Sequence, residues 1–410
     1  MLLQPWIQDL ASPDLSISSL NLSIRILKPE PLKLEPLKLG TETEEYQDAL
    51  KLDPSNTLVI LCDAAVVSPP LLNSSNPWAT SEADLLSLYA SPHTGAVTIR
   101  TSLWSAFSQH ASTHQYTFFS PSLGHATSTV DTETYAEGRG EVRDGETSSL
   151  NTLGYSPNSF EEYITMLVRL HTSGKLNSPT PKPFIVSVTG TADEVGRCYA
   201  YLSKTMSENE GLELMMEVNL SCPNIPSKPP PAYDATSLSE YISAIAKYRN
   251  ESSGKLLHVG IKTPPYIYHG QFRSLLDALE SSTSHEGGCP ISFITATNTL
   301  GSCLVLAADG TPALGSATGE GIGGLAGDAL HPLALGNVKT IRAMLNASPH
   351  ASIRAISIIG IGGVRDASGY KRMAGVGASA VGIGTALGRE GVSIFTKIAR
   401  GLEETETDGP

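Results

Sequence analysis

Basic residues are scarce in this chain and never gathered: 28 Lys and Arg stand against 41 Asp and Glu in 410 residues, a formal net charge of −13. Binding a nucleic-acid backbone needs clustered cations, so that class of partner is excluded. An anionic small molecule must then be met by local cations rather than by a global field. The five cysteines, Cys62, Cys198, Cys222, Cys289 and Cys303, include no CxxC pair. That leaves no disulfide framework, no zinc or other metal site to expect, and a reducing compartment. Apolar runs long enough to cross a bilayer are missing, as is a basic start followed by an apolar core and a cleavage site. The expectation is a soluble, cytoplasmic protein with no membrane partner.

What is present is a repeating rhythm. Hydrophobic residues make up 40% and charged residues 17%, with 37 Gly and 27 Pro, a composition that suits many short connections. Residues 1–57 read as an irregular extension, because the proline spacing in KPEPLKLEPLKLG forbids a helix. From residue 58, short β-rich runs alternate with helical patterns. The strands are expected at Pro70–Ser75, Ala96–Thr101, Phe184–Val188, Leu212–Leu220, Leu257–Lys262, Ser292–Thr297, Ile356–Gly360 and Ala380–Ile383. Eight such units close into a (β/α)8 barrel, a TIM barrel, whose active site lies at the C-terminal ends of the strands. The barrel is expected over 58–403, followed by a disordered tail over 404–410. Residues 109–149, rich in Ser, Thr, Gly and charge without apolar period, read as a long insertion over the top face, partly disordered or acting as a lid.

The stretch Asn219-Leu220-Ser221-Cys222-Pro223-Asn224 follows an apolar run and precedes Pro229, Pro230 and Pro231. Polar groups held just beyond a strand between prolines fit a pre-ordered site, and they fit equally a buried structural cysteine beside loop-forming residues. Three glycine-rich pieces, Gly319–Gly327, Gly362-Gly363 and Gly384-Thr385, offer bare backbone N–H groups late in the chain, where this fold holds phosphate; single glycine turns do no more than shape βα connections. Lys262 and Arg100 each fall at a strand end. A buried cation needs a partner, either a salt bridge in the barrel mouth or an anionic ring or carboxylate. Asn151 and Asn298 add amides to those of Asn219 and Asn224, a set suited to a flat, amide-rich heterocycle.

NLSCPN with its sequel PSKPPPAYD, VGIKTPPY, NTLG twice, IGGV and IGTAL resemble the class 1 dihydroorotate dehydrogenases, over roughly residues 70–402 in order. The resemblance implies an FMN-dependent barrel enzyme that oxidises (S)-dihydroorotate to orotate in pyrimidine biosynthesis, in the homodimeric branch that uses fumarate as acceptor. It implies Cys222 as the base and Asn151, Asn219, Asn224 and Asn298 as partners of the substrate, with Thr152, Leu153, Gly154, Tyr155 and Thr299 beside it. It implies Ser75, Thr101, Asn219, Lys262 and Thr297 against the flavin, Gly327, Gly362, Gly363, Gly384 and Thr385 around its phosphate, and Arg100 at substrate and flavin alike. The family pattern has Lys where this chain has Arg100, and a small residue plus Gly where it has Ser75-Asn76; Arg keeps the charge but not the point geometry of an ammonium. A flavin-binding barrel with another cyclic ureide as substrate, such as dihydrouracil, or with no turnover, is the alternative.

Overall fold

In a computed structural model the described residues are 67–126, 129–131, 143–176, 178, 181–221 and 230–407. The extension expected over 1–57 lies outside them. Parallel strands buried on both faces need near-continuous apolar sequence, and the apolar runs form the barrel strands Leu71–Asn73, Val97–Thr98, Phe184–Val188, Leu214–Asn219, His258–Lys262, Ile291–Ala296, Ser357–Ile361 and Ala380–Ile383. Each lies parallel beside the next in chain order; the last pairs with the first, and a bridge from Leu72 to Ala96 joins the first to the second. The fold is thus the expected (β/α)8 barrel.

Alternate residues divide the packing. Leu72, Ala96, Ile185, Met215, Phe293, Ile359, Ile361 and Ala380 fill the barrel, while the other face of each strand meets the helices. Those helices start where side chains satisfy the first free N–H groups: Ser81, Ser159 and Thr191 each head a reciprocal capping box with an acid three residues on. The final helix runs Ser393–Thr407, past the boundary expected at 403.

At the closed end of the barrel, the buried Lys182 Nζ donates to Tyr89 O (2.8 Å), Thr94 Oγ1 (3.1 Å) and Ser91 O. It closes the end of the helix Glu82–Ala90, whose last carbonyls have no partner within the helix. Burial pushes this ammonium down to about 8. Lys182→Met should cost about 1–3 kcal/mol in urea unfolding near pH 7, since Tyr89 O loses its side-chain donor, while Ser91 O keeps only Thr94 N and Thr94 Oγ1. The folded-state pKa is lowered, so the native state sheds its proton first and the unfolded chain binds more protons. Wild type should therefore gain stability relative to Lys182→Met as pH rises from about 8 towards the unfolded value; an unchanged difference over that window would remove the role.

The segment 109–149 differs from expectation. Gln115–Phe119, His125–Ala126 and Val130–Asp131 are strands of a second, mainly antiparallel sheet, completed by Ser148–Asn151, Leu300–Cys303, Leu306–Ala307 and Gly323–Gly327. Tyr116, Thr117, Phe118 and Phe119 are all buried, so both faces of that strand are covered and no alternation marks it in the sequence. Gly319–Gly327 is likewise no βα turn: Gly323–Gly327 pairs antiparallel with Ser148–Asn151. Among the described residues no helix is long and apolar enough to cross a membrane, and Cys198, Cys289 and Cys303 are free thiols.

Candidate active site

The barrel strands' C-terminal ends and the second sheet enclose one cleft of ≈ 1040 Å³, including solvent at its mouth. The second sheet supplies Tyr116, Ser149, Asn151, Ala326 and Gly327, and the barrel supplies the opposite wall. Of the residues picked out from sequence, the structure brings to this cleft Ser75, Arg100, Thr101, Asn151, Leu153, Gly154, Tyr155, Asn219, Lys262, Thr297, Asn298, Thr299, Gly327, Gly362, Gly363, Gly384 and Thr385. Thr152 is not among its lining. The Thr152 hydroxyl donates to Thr113 O (2.8 Å) and accepts from Gln115 N (3.1 Å), tying the neighbouring loop to the sheet. Cys222 and Asn224 lie outside the described residues.

The floor is polar and ordered. Asn219, at the end of the fourth barrel strand, donates from Nδ2 to Thr101 Oγ1 (3.0 Å), and its Oδ1 accepts from Ser221 Oγ (3.1 Å) and Asn298 Nδ2 (3.3 Å). Asn298 is fixed in turn by Thr299 N, which donates to its Oδ1 at 2.8 Å. Ser221, directly before Cys222, is buried at 1% exposure. Asn151 Nδ2 donates to Gly324 O (3.1 Å) across the second sheet, and Ser149 Oγ lies 2.9 Å from Thr385 Oγ1, joining sheet to barrel.

Charge is one-sided. Arg100 and Lys262 line the cleft and, among the described residues, no Asp or Glu does. Arg100 is buried and its Nη2 donates to Gly154 O at 3.3 Å; its positive charge, with burial foremost and His110 second, helps push the nearby His114 below the usual histidine range. Lys262 is 4% exposed, and no hydrogen bond or ion pair reaches its ammonium among the described residues. A cation at a cleft with no acid among its described lining can be met by an anion or a strong acceptor from outside the chain. Thr297 Oγ1 is also buried without a partner.

The far wall is bare backbone. Gly363 (φ 70°) packs so closely that a Cβ there would stand 2.6 Å from both Gly327 O and His331 Cβ. Only glycine fits, and the cleft is left facing peptide groups. His331 Nδ1 donates to Gly362 O (2.6 Å) and its Nε2 accepts from Arg372 Nε (3.1 Å), bracing this turn. Sequence reasoning missed the aromatic side of the site, where Trp78 stands edge-on to Tyr116 (5.4 Å) and stacks with Phe118 (6.0 Å). No local pattern announces it, because Tyr116 and Phe118 arrive on the second sheet.

The sequence profile of the dihydroorotate dehydrogenase family matches residues 123–405. A protein of Streptococcus agalactiae named putative dihydroorotate dehydrogenase A (fumarate) is 31% identical over 274 residues, 66% of this chain and 78% of the relative. Its counterpart in Streptococcus pyogenes is 32% identical over 256 residues, 62% of this chain and 72% of the relative. A fungal protein from Lachancea kluyveri, named dihydroorotate dehydrogenase (fumarate), is 28% identical over 256 residues, with 62% and 72% covered.

Proposed function

This chain belongs to the dihydroorotate dehydrogenase family, and on that premise we propose that it oxidises (S)-dihydroorotate to orotate with bound FMN, passing the electrons to fumarate. The observation that carries the reading is Lys262, a buried cation without a counter-charge among the described residues, in a cleft that holds a second cation, no acid and a wall of glycine backbone. These residues fit a phosphate-bearing, amide-rich ring: the unpartnered Thr297 hydroxyl and the Lys262 ammonium offer donors to its heteroatoms, and the turns at Gly327, Gly362, Gly363, Gly384 and Thr385 offer N–H groups to its phosphate.

FMN, when bound, supplies the hydride acceptor. The chain supplies the rest. Asn151, Asn219, Asn224 and Asn298 hold the pyrimidine ring and carboxylate, with Leu153, Gly154, Tyr155 and Thr299 around them. Thr152 acts through its ties to the sheet. Ser75, Thr101 and Asn219 set the floor, and Arg100 pairs with anionic charge on the substrate side. Cys222 removes the C5 proton from dihydroorotate; its thiol has a reference pKa of ~8.5, so a useful thiolate fraction forms near neutral pH once a positive site lowers that value. Steady-state assays of the FMN-loaded protein should show orotate formation that depends on fumarate. Orotate formation that ignores fumarate while another acceptor sustains it would reassign the acceptor; none with any acceptor would leave a flavin-binding barrel of different substrate.

A further inference from the structure

The fourth barrel strand carries a buried carboxylate one step above the apolar layer that fills the barrel. Glu217 is 2% exposed, lies outside the lining of the cleft, and shares its strand with Met215 below and Asn219 above. Its pairing partner on the fifth strand is Gly260, which has no side chain to crowd it, and Lys262 stands one step higher opposite Asn219. No hydrolytic or proton-transfer role is open to a group that does not reach the cleft. What Glu217 does reach is Ser187, whose Oγ donates to Glu217 Oε1 at 2.8 Å.

That contact fixes every hydrogen above it. An ionised carboxylate accepts and never donates, so the single Ser187 hydroxyl proton is committed to Glu217. Thr101 Oγ1, 2.9 Å from Ser187 Oγ, must then be the donor in that pair. With its one proton spent, Thr101 Oγ1 has only lone pairs left. Asn219 can meet it only through Nδ2 (3.0 Å), and Ser75 Oγ (2.9 Å) only as a donor, while Ser75 Oγ itself accepts from Thr101 N (2.8 Å). Asn219 Oδ1 is thereby turned to the far side, where Ser221 Oγ, Ser221 N and Asn298 Nδ2 donate to it.

We infer that Glu217 is a positioning residue which, through Ser187 and Thr101, sets the amide orientation of Asn219 at the floor of the cleft. Without an acceptor at 217, the Ser187 proton turns to Thr101, the Thr101 proton needs a new acceptor, and Asn219 presents Oδ1 to it by flipping. The flipped amide then places Nδ2 against two donors, Ser221 and Asn298. Polar networks in a low-dielectric interior pass on such reversals because each member has a fixed number of protons.

The inference rests on the functional reading, through FMN as the probe. Glu217→Met removes the acceptor with an apolar side chain suited to its neighbours, and Ser187→Ala cuts the link while leaving Glu217 in place. Apoprotein of wild type, each variant and the double variant is titrated with FMN and followed by flavin fluorescence and absorption. Each single variant should weaken FMN binding about tenfold, the worth of one good hydrogen bond, and shift the flavin spectrum alike. The double variant should match either single one, because both cut the same chain. Ser187→Ala that binds FMN as tightly as wild type, with an unchanged spectrum, overturns the inference whether or not Glu217→Met folds; so do single effects that multiply in the double variant. Wild type that takes up no FMN overturns the functional reading, and the inference falls with it.

Discussion

Replacing Cys222 by serine leaves FMN bound and slows flavin reduction by dihydroorotate about 10²–10⁴-fold near neutral pH, the range for losing a positioned general base. The nucleophilic and basic form of the residue is what matters. A thiol ionises near ~8.5 in the absence of perturbation, whereas a serine hydroxyl stays protonated unless a separate base assists it. Ser221, the residue directly before Cys222, is fixed by two hydrogen bonds to Asn219 Oδ1, at 3.1 and 3.3 Å. The glycine wall is remote from this change in the chain, which is why FMN affinity should hold. In wild type, where a higher pH deprotonates more thiol, the reduction rate should climb with pH and level off above the thiol pKa. A rate that is flat across the range from about pH 6 to 9, with chemistry limiting, would remove Cys222 from this role.

Lys262→Met should move stability and binding in opposite directions. In the chain alone Lys262 is 4% exposed and lines the cleft, and its ammonium has no hydrogen bond or ion pair to any described residue. Exchanging it for an apolar side chain of similar length removes an unpaired cation that shares the cleft with Arg100, and the apoprotein should gain up to about 1 kcal/mol in urea unfolding. FMN binding should weaken by about 10–100-fold, the loss of a hydrogen bond from a charged donor. Turnover should fall further, since a cation aimed at developing negative charge is worth more in the transition state than in the ground state. A lysine with a merely structural task gives the reverse signature: a less stable apoprotein that binds FMN normally.

The barrel was legible because its strands are buried on both faces, so Phe184–Val188 and Ala380–Ile383 read as mainly apolar runs. Lys262 and Arg100 were legible for a related reason: a charge at the end of such a run has no cheap structural explanation. The second sheet was not. Ser148–Asn151 pairs with Gln115–Phe119 on one side and Gly323–Gly327 on the other, and pairings across such distances leave no local period. Hence the sequence marks Asn151 as a polar residue but not as the end of an antiparallel strand, and gives no sign of Trp78, Tyr116 and Ser149. Glu217 did leave a signal, a lone acid inside LMMEVN. Its meaning needed the neighbouring strand, because only the fold puts Ser187 opposite it.

The measurement that bears most directly on the central claim is an anaerobic titration of the FMN-loaded protein with (S)-dihydroorotate, followed at the flavin absorption bands. The account predicts bleaching in a single phase, one orotate formed per flavin, and recovery of the colour when fumarate is admitted. Flavin that stays fully oxidised in the presence of saturating dihydroorotate would contradict it.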